Sequence, residues 1–391
     1  MSVAAGLRYQ SPRFSSIPDS ETVAASRRAQ ELRDQGMSVV SLTVGEPDFP
    51  TPPHVIEAAH VAALSGQTRY TPVLGTAALR AAIARKFQRD NGLAFNAANQ
   101  IIVGTGGKQV VFNAFAVSLA EGDEVVLPAP HWVSYPAMVA MAGGKAVILP
   151  TRADEGYVPS AQALEAALTP RTRWVVLNFP GNPTGALATR AQLESLADVL
   201  RRHPDVLIMS DEIYEHIVFD GEKVVSLADV APDLLPRLLI INGVSKAYSM
   251  TGWRIGWGAG PAPLIAAMAR MQSQTTGGAC AVSQAAAVAA LDGPQGLLAE
   301  RSATFQSRRD AVIKALAPCA ALRIFKPRGA FYLFCEVAGM SATEAERRLL
   351  EVGVVVVGGG AFGAPNHVRM SIATSQQELD TACERILSAL C

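Results

Sequence analysis

From about residue 100 onward, short apolar runs alternate with longer, more polar stretches. The short runs have the length and composition of buried strands, and residues 108–119 and 189–202 are predicted to be helices. Continuous apolar strands that alternate with helices are typical of a mostly parallel sheet with both faces covered. The pattern therefore predicts an α/β fold whose strands read, in order, IIVG, EVVLP, KAVILP, WVVLNFP, VLIMSDE and LLIIN.

A different pattern follows a long helical stretch at residues 295–317. Three apolar strands (GAFYLFCEV, GVVVV and HVRMSIA) and a final helix at 375–390 come after it. This block is predicted to be a separate α+β domain, with a boundary near residues 290–300.

The N-terminal part of the chain is predicted to contain an arm, two helices and a strand. Residues 1–20 are rich in serine and proline and are predicted to form an arm, and a helix at 21–35 ends at Gly36. The apolar run VVSL predicts a strand that leads into a turn at Gly45, and another helix is expected at residues 76–91.

Size, composition and charge indicate a globular protein with two domains. The chain has 391 residues, of which 49% are hydrophobic and 17% are charged. A chain of this length usually forms more than one core. Lys+Arg and Asp+Glu both number 34, so the net charge is zero and no nucleic-acid partner is indicated.

Cysteines, histidines and hydropathy narrow the class of protein further. The five cysteines are scattered without CxxC spacing, which favours free thiols in a reducing compartment. The six histidines form no HxxxH or HExxH pattern, so no metal site is expected. There is no apolar leader and no apolar run of about 18 residues, so we expect a cytoplasmic protein without a membrane partner.

The segment SKAYSMTGWRIGW, residues 245–257, carries the strongest chemical signal. Lys246 follows the apolar strand LLIIN, and a lysine that loses solvation there becomes a better nucleophile as its pKa falls. Such an amine can form a Schiff base with a carbonyl compound. Arg254 lies eight positions later and has the planar fork that binds a phosphate. A surface lysine and arginine after a strand are the alternative.

Asp211 and Tyr214 lie at the end of the strand VLIMS. A buried carboxylate beside a pyridine nitrogen would keep that nitrogen protonated and make the ring a stronger electron sink. Tyr214, one helical turn further on, could donate a hydrogen bond to a phenolate oxygen. A helix-capping aspartate and a core tyrosine are the alternatives.

Three loops also follow predicted strands, which is where α/β sheets bind ligands. Asn182 precedes Pro183 and is therefore held extended, so it could aim its amide into a cleft. The turn GTGGK at residues 104–108 could cradle a phosphate with its backbone N–H groups. Trp132 could stack on a flat ring. Ordinary turns and a core tryptophan are the alternatives.

Arg369 lies on the apolar strand HVRMSIA of the second block. An arginine there needs an anion or water, and a substrate carboxylate would satisfy its planar fork. A structural salt bridge is an equally open interpretation.

Taken together, these segments resemble the class I/II aminotransferases, which are fold-type I enzymes that use pyridoxal 5'-phosphate (PLP). The resemblance runs from VGEPDF (44–49) to HVRMSIATS (367–375), and NFPGNPTG, SDEIY and SKAYSMTGWRIG occur in the family's order. GGKQ, WVSYP and NGVSKAYSMTGWRIGWGAGP look closest to the bacterial aspartate/prephenate aminotransferase branch.

The resemblance implies a large domain with a mostly parallel seven-stranded sheet flanked by helices, and a smaller α+β domain. Residues 1–44 would form the N-terminal arm and part of the small domain. Residues 45–293 would form the large PLP-binding domain, and residues 294–391 the C-terminal small domain.

The resemblance also implies a role for each residue around the cofactor ring. Lys246 would form the Schiff base with PLP and shuttle the proton between Cα and C4′. Asp211 would pair with the pyridine nitrogen. Asn182 and Tyr214 would contact the ring oxygen, and Trp132 would stack on the ring.

Phosphate and substrate positions follow from the same resemblance. Arg369 would bind the substrate α-carboxylate with help from Gly45, and Asn182 and Trp132 would border the substrate. Tyr70 would reach the phosphate of a neighbouring subunit, which implies a homodimer with shared active sites. The phosphate of the same subunit would be held by Gly106, Gly107, Lys108, Ser245 and Arg254.

The chain departs from the family's pattern at three places. Gly243 stands where many relatives have a serine three positions before the lysine, and Ser245 is the candidate substitute. FSSIPDSETVA lacks the PSxT pattern, and TTGGACAVSQ (275–284) differs from the usual version. Both segments border the substrate pocket in relatives, so they bear on substrate choice.

The expected reaction is a ping-pong transamination between an L-amino acid and a 2-oxo acid. Lys108 favours aspartate or glutamate, because its ammonium is expected to contact a side-chain carboxylate; a solvent-facing lysine is the alternative. An aromatic or prephenate aminotransferase stays open, as does β-elimination or a lyase reaction on the same fold. A PLP-fold regulator is disfavoured because no basic segment for a DNA-binding domain is found, and GTGGK does not fit the dinucleotide pattern GxGxxG.

Overall fold

The computed structural model describes residue 9, residues 11–15 and residues 17–391. Residues 1–8, 10 and 16 of the predicted arm lie outside the described residues. The strands are β1 Val40–Ser41, β2 Ile101–Thr105, β3 Glu124–Ala129, β4 Lys145–Pro150, β5 Thr172–Asn178, β6 Leu207–Asp211, β7 Leu238–Gly243, β8 Ile255–Ala259, β9 Leu322–Phe325, β10 Tyr332–Val337, β11 Val354–Val355, β12 Val357–Gly358 and β13 His367–Ser371.

Helices cover the remaining regular structure. They are α1 Pro12–Ser15, α2 Glu21–Asp34, α3 Pro53–Leu64, α4 Ala77–Lys86, α5 Gly107–Ser118, α6 Ser134–Met141, α7 Ala161–Ala167, α8 Arg190–Arg201, α9 Leu227–Val230, α10 Ala262–Ser273, α11 Ala281–Asp292, α12 Gly296–Leu316, α13 Ala342–Glu351 and α14 Gln376–Leu390. The predicted helix at 76–91 is α4 followed by one π turn, and it ends at Gly92 with φ of 65°. The helices that were not predicted are α1, α3, α6, α7, α9, α10, α11 and α13.

The largest sheet has seven strands in the order β2-β8-β7-β6-β5-β3-β4. Strands β3 to β7 pair in parallel, and β8 runs antiparallel to both β2 and β7. The predicted mostly parallel α/β sheet is therefore confirmed. Strand β8 was missed because its sequence, IGWGA, alternates glycine with larger residues and has no continuous apolar run.

Both faces of this sheet are buried. In β7, Leu238 and Ile240 belong to the apolar cluster on one face, and Leu239 and Ile241 belong to the cluster on the other. Successive side chains of a strand point to opposite faces, so a strand covered on both sides needs apolar residues at every position. This is why the strand next to Lys246 reads as a continuous apolar run.

A second sheet is formed by the C-terminal part of the chain. Its four antiparallel strands have the order β12-β13-β10-β9, and their apolar cluster includes residues of α12 and α14. Strand β9 was not predicted. The short strand β1 pairs in parallel with β11, which ties residues 40–41 to this part of the molecule. The domain boundaries after residues 44 and 293 stay a prediction.

The cysteines differ from the expectation at one pair. Cys319 and Cys391 form a disulfide with their Cα atoms 5.3 Å apart, so the prediction of free thiols is wrong for these two. The pair is 72 residues apart in sequence, and spacing alone could not show that α14 brings the C-terminus back to the end of α12. Cys335 and Cys383 are buried thiols, and Cys280 is exposed.

Within the described ranges, no helix has both the length and the hydropathy needed to cross a membrane.

Candidate active site

A cavity of roughly 380 Å³ lies where the carboxyl ends of β5, β6 and β7 face the second sheet. Parallel strands place the loops that follow them at one edge, so motifs far apart in sequence meet there. Most of the predicted site residues line this cavity. They are Gly45, Gly107, Lys108, Trp132, Asn182, Asp211, Tyr214, Ser245, Lys246, Arg254 and Arg369.

Lys246 lies three residues beyond β7 and points into the cavity. Its ammonium donates a hydrogen bond to the Gly45 carbonyl and lies 5.9 Å from the centre of the Tyr214 ring. Burial lowers the pKa of Lys246 to about 8, and the positive charge of Arg369 acts in the same direction. The amine is therefore more often neutral and nucleophilic than that of an ordinary lysine.

Asp211 is the last residue of β6 and is 6% exposed. Its Oδ2 accepts a hydrogen bond from the Tyr135 hydroxyl at 2.6 Å, and its Oδ1 accepts one from the backbone N–H of Ile213 at 3.3 Å. Burial raises the pKa of Asp211, and these two hydrogen bonds oppose that shift by favouring the anion. Asn178 fixes the same backbone, because its amide donates to the Asp211 carbonyl at 2.9 Å.

Tyr214 follows in a turn rather than in the predicted helical turn. Its hydroxyl lies 2.9 Å from the hydroxyl of Tyr332 on β10. Burial raises the pKa of Tyr214 well above its usual value, so the phenol stays protonated and can donate a hydrogen bond.

Arg369 comes from β13 and is 1% exposed. It donates to Asn182 Oδ1 at 3.0 Å and to the Thr43 carbonyl at 2.7 Å. Its Nε is buried and has no hydrogen-bond partner in the described part of the chain. A buried guanidinium with an unused donor is a suitable partner for a carboxylate, since an unpaired polar group is costly.

Arg254 and the start of α5 form a second cationic corner. Arg254 has φ of 57°, an unusual value for a side-chain-bearing residue, and its guanidinium donates to the Thr251 carbonyl at 3.0 Å. A side chain at Gly106, which has φ of 79°, would collide with this guanidinium. The close approach places the positive charge beside the helix N-terminus, a combination that binds phosphate.

Lys108, the second residue of α5, and Trp132 also line the cavity. The Lys108 ammonium lies 5.1 Å from the centre of the Trp132 ring. Lost solvation lowers the pKa of Lys108, and the nearby Arg254 contributes to the shift. Ser245 is buried at the same cavity.

Two predicted residues do not line the cavity. Gly106 lies directly before α5 and contacts Arg254 from outside the cavity wall. Tyr70 is fully exposed, so within one chain it has no access to the site.

Several residues of the site were not predicted. Tyr332 and Thr22 line the cavity. Tyr135 does not line it, but its hydroxyl donates a hydrogen bond to Asp211. Tyr135 lies three positions after Trp132, a spacing that places both on one side of a helical turn and could have indicated it. No sequence signal indicates Tyr332, because its contacts depend on the pairing of β10 with β13.

Comparison with known proteins shows the same architecture elsewhere. The family pattern described as "Aminotransferase class I and II" matches residues 37–386. The chain is 45% identical over 393 residues to an aspartate/prephenate aminotransferase of Cereibacter sphaeroides, covering 97% of this chain and 98% of the relative. The chain belongs to the class I and II aminotransferases.

Two solved structures extend this finding to three dimensions. The aspartate aminotransferase of Rhizobium meliloti matches with a TM-score of 0.95 and 46% identity, covering 98% of this chain and 99% of that one. The aspartate aminotransferase of Thermus thermophilus with maleate matches with a TM-score of 0.94 and 42% identity, covering 98% and 100%. The protein is thus a PLP-dependent transaminase with the fold-type I architecture that the resemblance implied.

The cavity of this aminotransferase fits PLP group by group. A nucleophilic amine (Lys246), a buried carboxylate (Asp211) and a buried phenol (Tyr214) all line it. The cationic corner at Arg254 suits the phosphate. The unused Nε of Arg369 leaves a donor for a substrate carboxylate.

Proposed function

We propose that this aminotransferase transfers the amino group of aspartate or glutamate to a 2-oxo acid, with Lys246 as the residue that binds PLP and moves the proton. The observation that carries the proposal is the position of the Lys246 amine. It lies in a buried cavity that also holds Asp211 and Arg369, and its pKa is lowered to about 8.

The other residues of the cavity hold and polarise the reactants. When bound, PLP withdraws electrons from the substrate Cα, so that the proton there becomes acidic. Asp211 would keep the pyridine nitrogen protonated, and the positive ring would in turn favour the aspartate anion. Tyr214 and Asn182 would donate to the ring oxygen, and Trp132 would cover the ring face.

Arg369 is assigned to the substrate, and Arg254 to the phosphate of the cofactor. Arg369 would hold the α-carboxylate through its unused Nε, and this orients Cα toward the amine of Lys246. Arg254, Ser245 and the N–H groups that start α5 would hold the phosphate. The amine of Lys246 would take the proton from the substrate Cα and return it at C4′. Both half-reactions use one cavity in turn, which gives ping-pong kinetics.

Lys108 supports an acidic substrate. Its ammonium faces the cavity, and no ion pair holds it within the described residues, so a distal carboxylate would be its partner. The names of the relatives, aspartate and aspartate/prephenate aminotransferase, fit this choice. An aromatic or prephenate substrate is the second candidate, supported by the Trp132 ring beside the same lysine.

Half-reactions of the Lys108→Ala variant with aspartate and phenylalanine test the substrate assignment. We expect kcat/KM for aspartate to fall by roughly 10- to 100-fold, because a charge-assisted contact is lost, and that for phenylalanine to change less than about threefold. Lys314→Ala, on the exposed side of α12, is the matched control. Equal losses for both substrates would contradict a contact between Lys108 and a distal carboxylate. Maleate is a suitable unreactive dicarboxylate for the corresponding binding measurement.

A homodimer with shared sites and a cytoplasmic location are parts of the same proposal. Tyr70 is fully exposed on one chain, and α3 presents Ile56, Val61 and Leu64 to the surface. A second copy would cover these side chains and give Tyr70 a phosphate to bind. Cell fractionation tests the location, and subunit mixing, described below, tests the shared site.

A further inference from the structure

Tyr332 connects two parts of the site that come from different sheets. It is the first residue of β10 and is 1% exposed. Its hydroxyl lies 2.9 Å from the Tyr214 hydroxyl, which follows β6 of the large sheet. Its ring lies under the Arg369 guanidinium, with the central carbon 4.4 Å from the ring centre. One side chain therefore contacts both the proposed ring-oxygen donor and the proposed carboxylate-binding arginine.

The contact with Arg369 follows from the register of two strands. Tyr332 pairs with Ser371, and Phe334 pairs with Arg369. In an antiparallel pair, diagonal neighbours on one face are close enough for long side chains to meet. The ring of Tyr332, the Asn182 amide oxygen and the Thr43 carbonyl contact the guanidinium, and the Phe362 ring centre lies 5.0 Å from its central carbon. The Nε is left as the unused donor.

In the hydrogen bond between Tyr332 and Tyr214, the donor is fixed once a ligand is bound. A phenol has one proton to donate. When Tyr214 donates to an anionic ring oxygen, it can only accept at its link with Tyr332, so Tyr332 donates. A donor that itself receives a hydrogen bond becomes a stronger donor. The Tyr332 hydroxyl also lies close to Gly45, where a Cβ would be 2.6 Å from it. This leaves the hydroxyl little freedom to turn away.

We propose that Tyr332 is a positioning residue for both halves of the site: its ring holds Arg369 in the orientation that receives a carboxylate, and its hydroxyl strengthens the hydrogen bond that Tyr214 donates to the cofactor. The inference rests on the proposed function, because it assigns Tyr332 to the roles given there to Arg369 and Tyr214. It predicts that the two functions of one side chain can be separated by substitution.

Two variants of the holoenzyme separate the hydroxyl from the ring. Tyr332→Phe removes only the hydroxyl, and Tyr332→Leu removes the ring as well. Tyr157→Phe is the matched control, since it deletes another buried hydroxyl, 3.2 Å from His367 and outside the active-site cavity. The measurements are the pH midpoint of the cofactor's visible absorbance change and the dissociation constant of maleate.

We expect Tyr332→Phe to move the pH midpoint upward by roughly 0.3 unit or more, because the anionic oxygen loses support, while maleate binding changes less than about threefold. We expect Tyr332→Leu to show the same shift and to bind maleate about tenfold more weakly, because the guanidinium then keeps only the more distant Phe362 ring, 5.0 Å from its central carbon. Tyr157→Phe should match the wild type in both measurements.

The outcomes distinguish this inference from the proposed function. A wild-type protein without a visible cofactor band or without maleate binding would overturn the proposed function itself. If the wild type shows both, an unchanged midpoint in Tyr332→Phe, or unchanged maleate binding in Tyr332→Leu, overturns the role of Tyr332. Should Tyr332→Leu fail to fold, the midpoint of Tyr332→Phe still decides the role of the hydroxyl.

Discussion

The amine of Lys246 is buried in the cavity, and the cation of Arg369 lines the same cavity. Both conditions disfavour its protonated form, so the pKa falls to about 8. At neutral pH roughly one molecule in ten then has a neutral amine, far more than for an ordinary lysine. Asp211 and Tyr214 do not lower the pKa of Lys246, and their proposed role is to hold the ligand.

The lowered pKa of Lys246 predicts a pH profile for the protein without PLP. Only the neutral amine reacts, so labelling of Lys246 by an acylating reagent should rise through about pH 8 and level off above it. Labelling is followed by mass spectrometry, with the exposed Lys314 of α12 as the internal reference for the reagent. A Lys246 reactivity that keeps climbing beyond pH 10 would contradict the burial argument.

Some site residues were predictable one by one and others were not. Asp211 ends an apolar strand and Lys246 lies three residues beyond another, and in an α/β sheet the carboxyl ends of the strands are next to the ligand. Tyr332 begins an apolar strand of the second sheet, and nothing local distinguishes it from a core tyrosine. Its role depends on which residue of β13 lies diagonal to it, and register between distant strands is not visible in one sequence.

At the scale of elements, the phosphate corner depends on how closely β8 approaches α5. Gly256 pairs with Gly104 and Gly243, and a Cβ at Gly256 would collide with the backbone of Gly106 and Gly107. The helix can therefore begin directly against the strand. The parallel strands were predicted because their apolar runs are continuous. Strand β8 was not, because the glycines that permit this approach interrupt its pattern.

The Gly256→Ala variant tests this packing. The added methyl group would push the start of α5 away from Arg254, because the atoms it meets are backbone atoms that cannot rotate aside. We expect PLP affinity, measured by absorbance titration, to fall about tenfold or more. Gly252→Ala is the control in the same segment, since its Cβ would meet nothing within 4 Å. Equal affinity of the two variants would show that the close approach does not build the site.

In the whole molecule, the cavity lies between two sheets, and Tyr70, the predicted contact to a neighbouring subunit's phosphate, does not line it. Tyr70 is exposed on the surface of its own chain. The sequence could indicate the shared site only through family resemblance, because a single chain contains no information on the position of its copy. The homodimer proposal explains why Tyr70 is fully exposed on a single chain.

Subunit mixing tests the shared site. Tyr70→Ala and Lys246→Ala should each lose most activity, because one removes the neighbour's phosphate contact and the other the amine. After the two variants are mixed and reassociated, roughly a quarter of the wild-type sites should return, since half of the dimers are mixed and each has one intact site. Either variant alone, taken through the same procedure, is the control. No recovery in the mixture would argue that each site is built from a single chain.

The roles assigned to the residues of the cavity all depend on a covalent link between Lys246 and PLP, which peptide mapping can detect. The wild-type holoenzyme is reduced with borohydride, digested and analysed by mass spectrometry, with Lys246→Ala as the control. We expect the reduced cofactor on the peptide that contains Lys246, and no cofactor-bearing peptide from the variant. A wild-type protein that carries the cofactor on another lysine, or on none, would contradict the account.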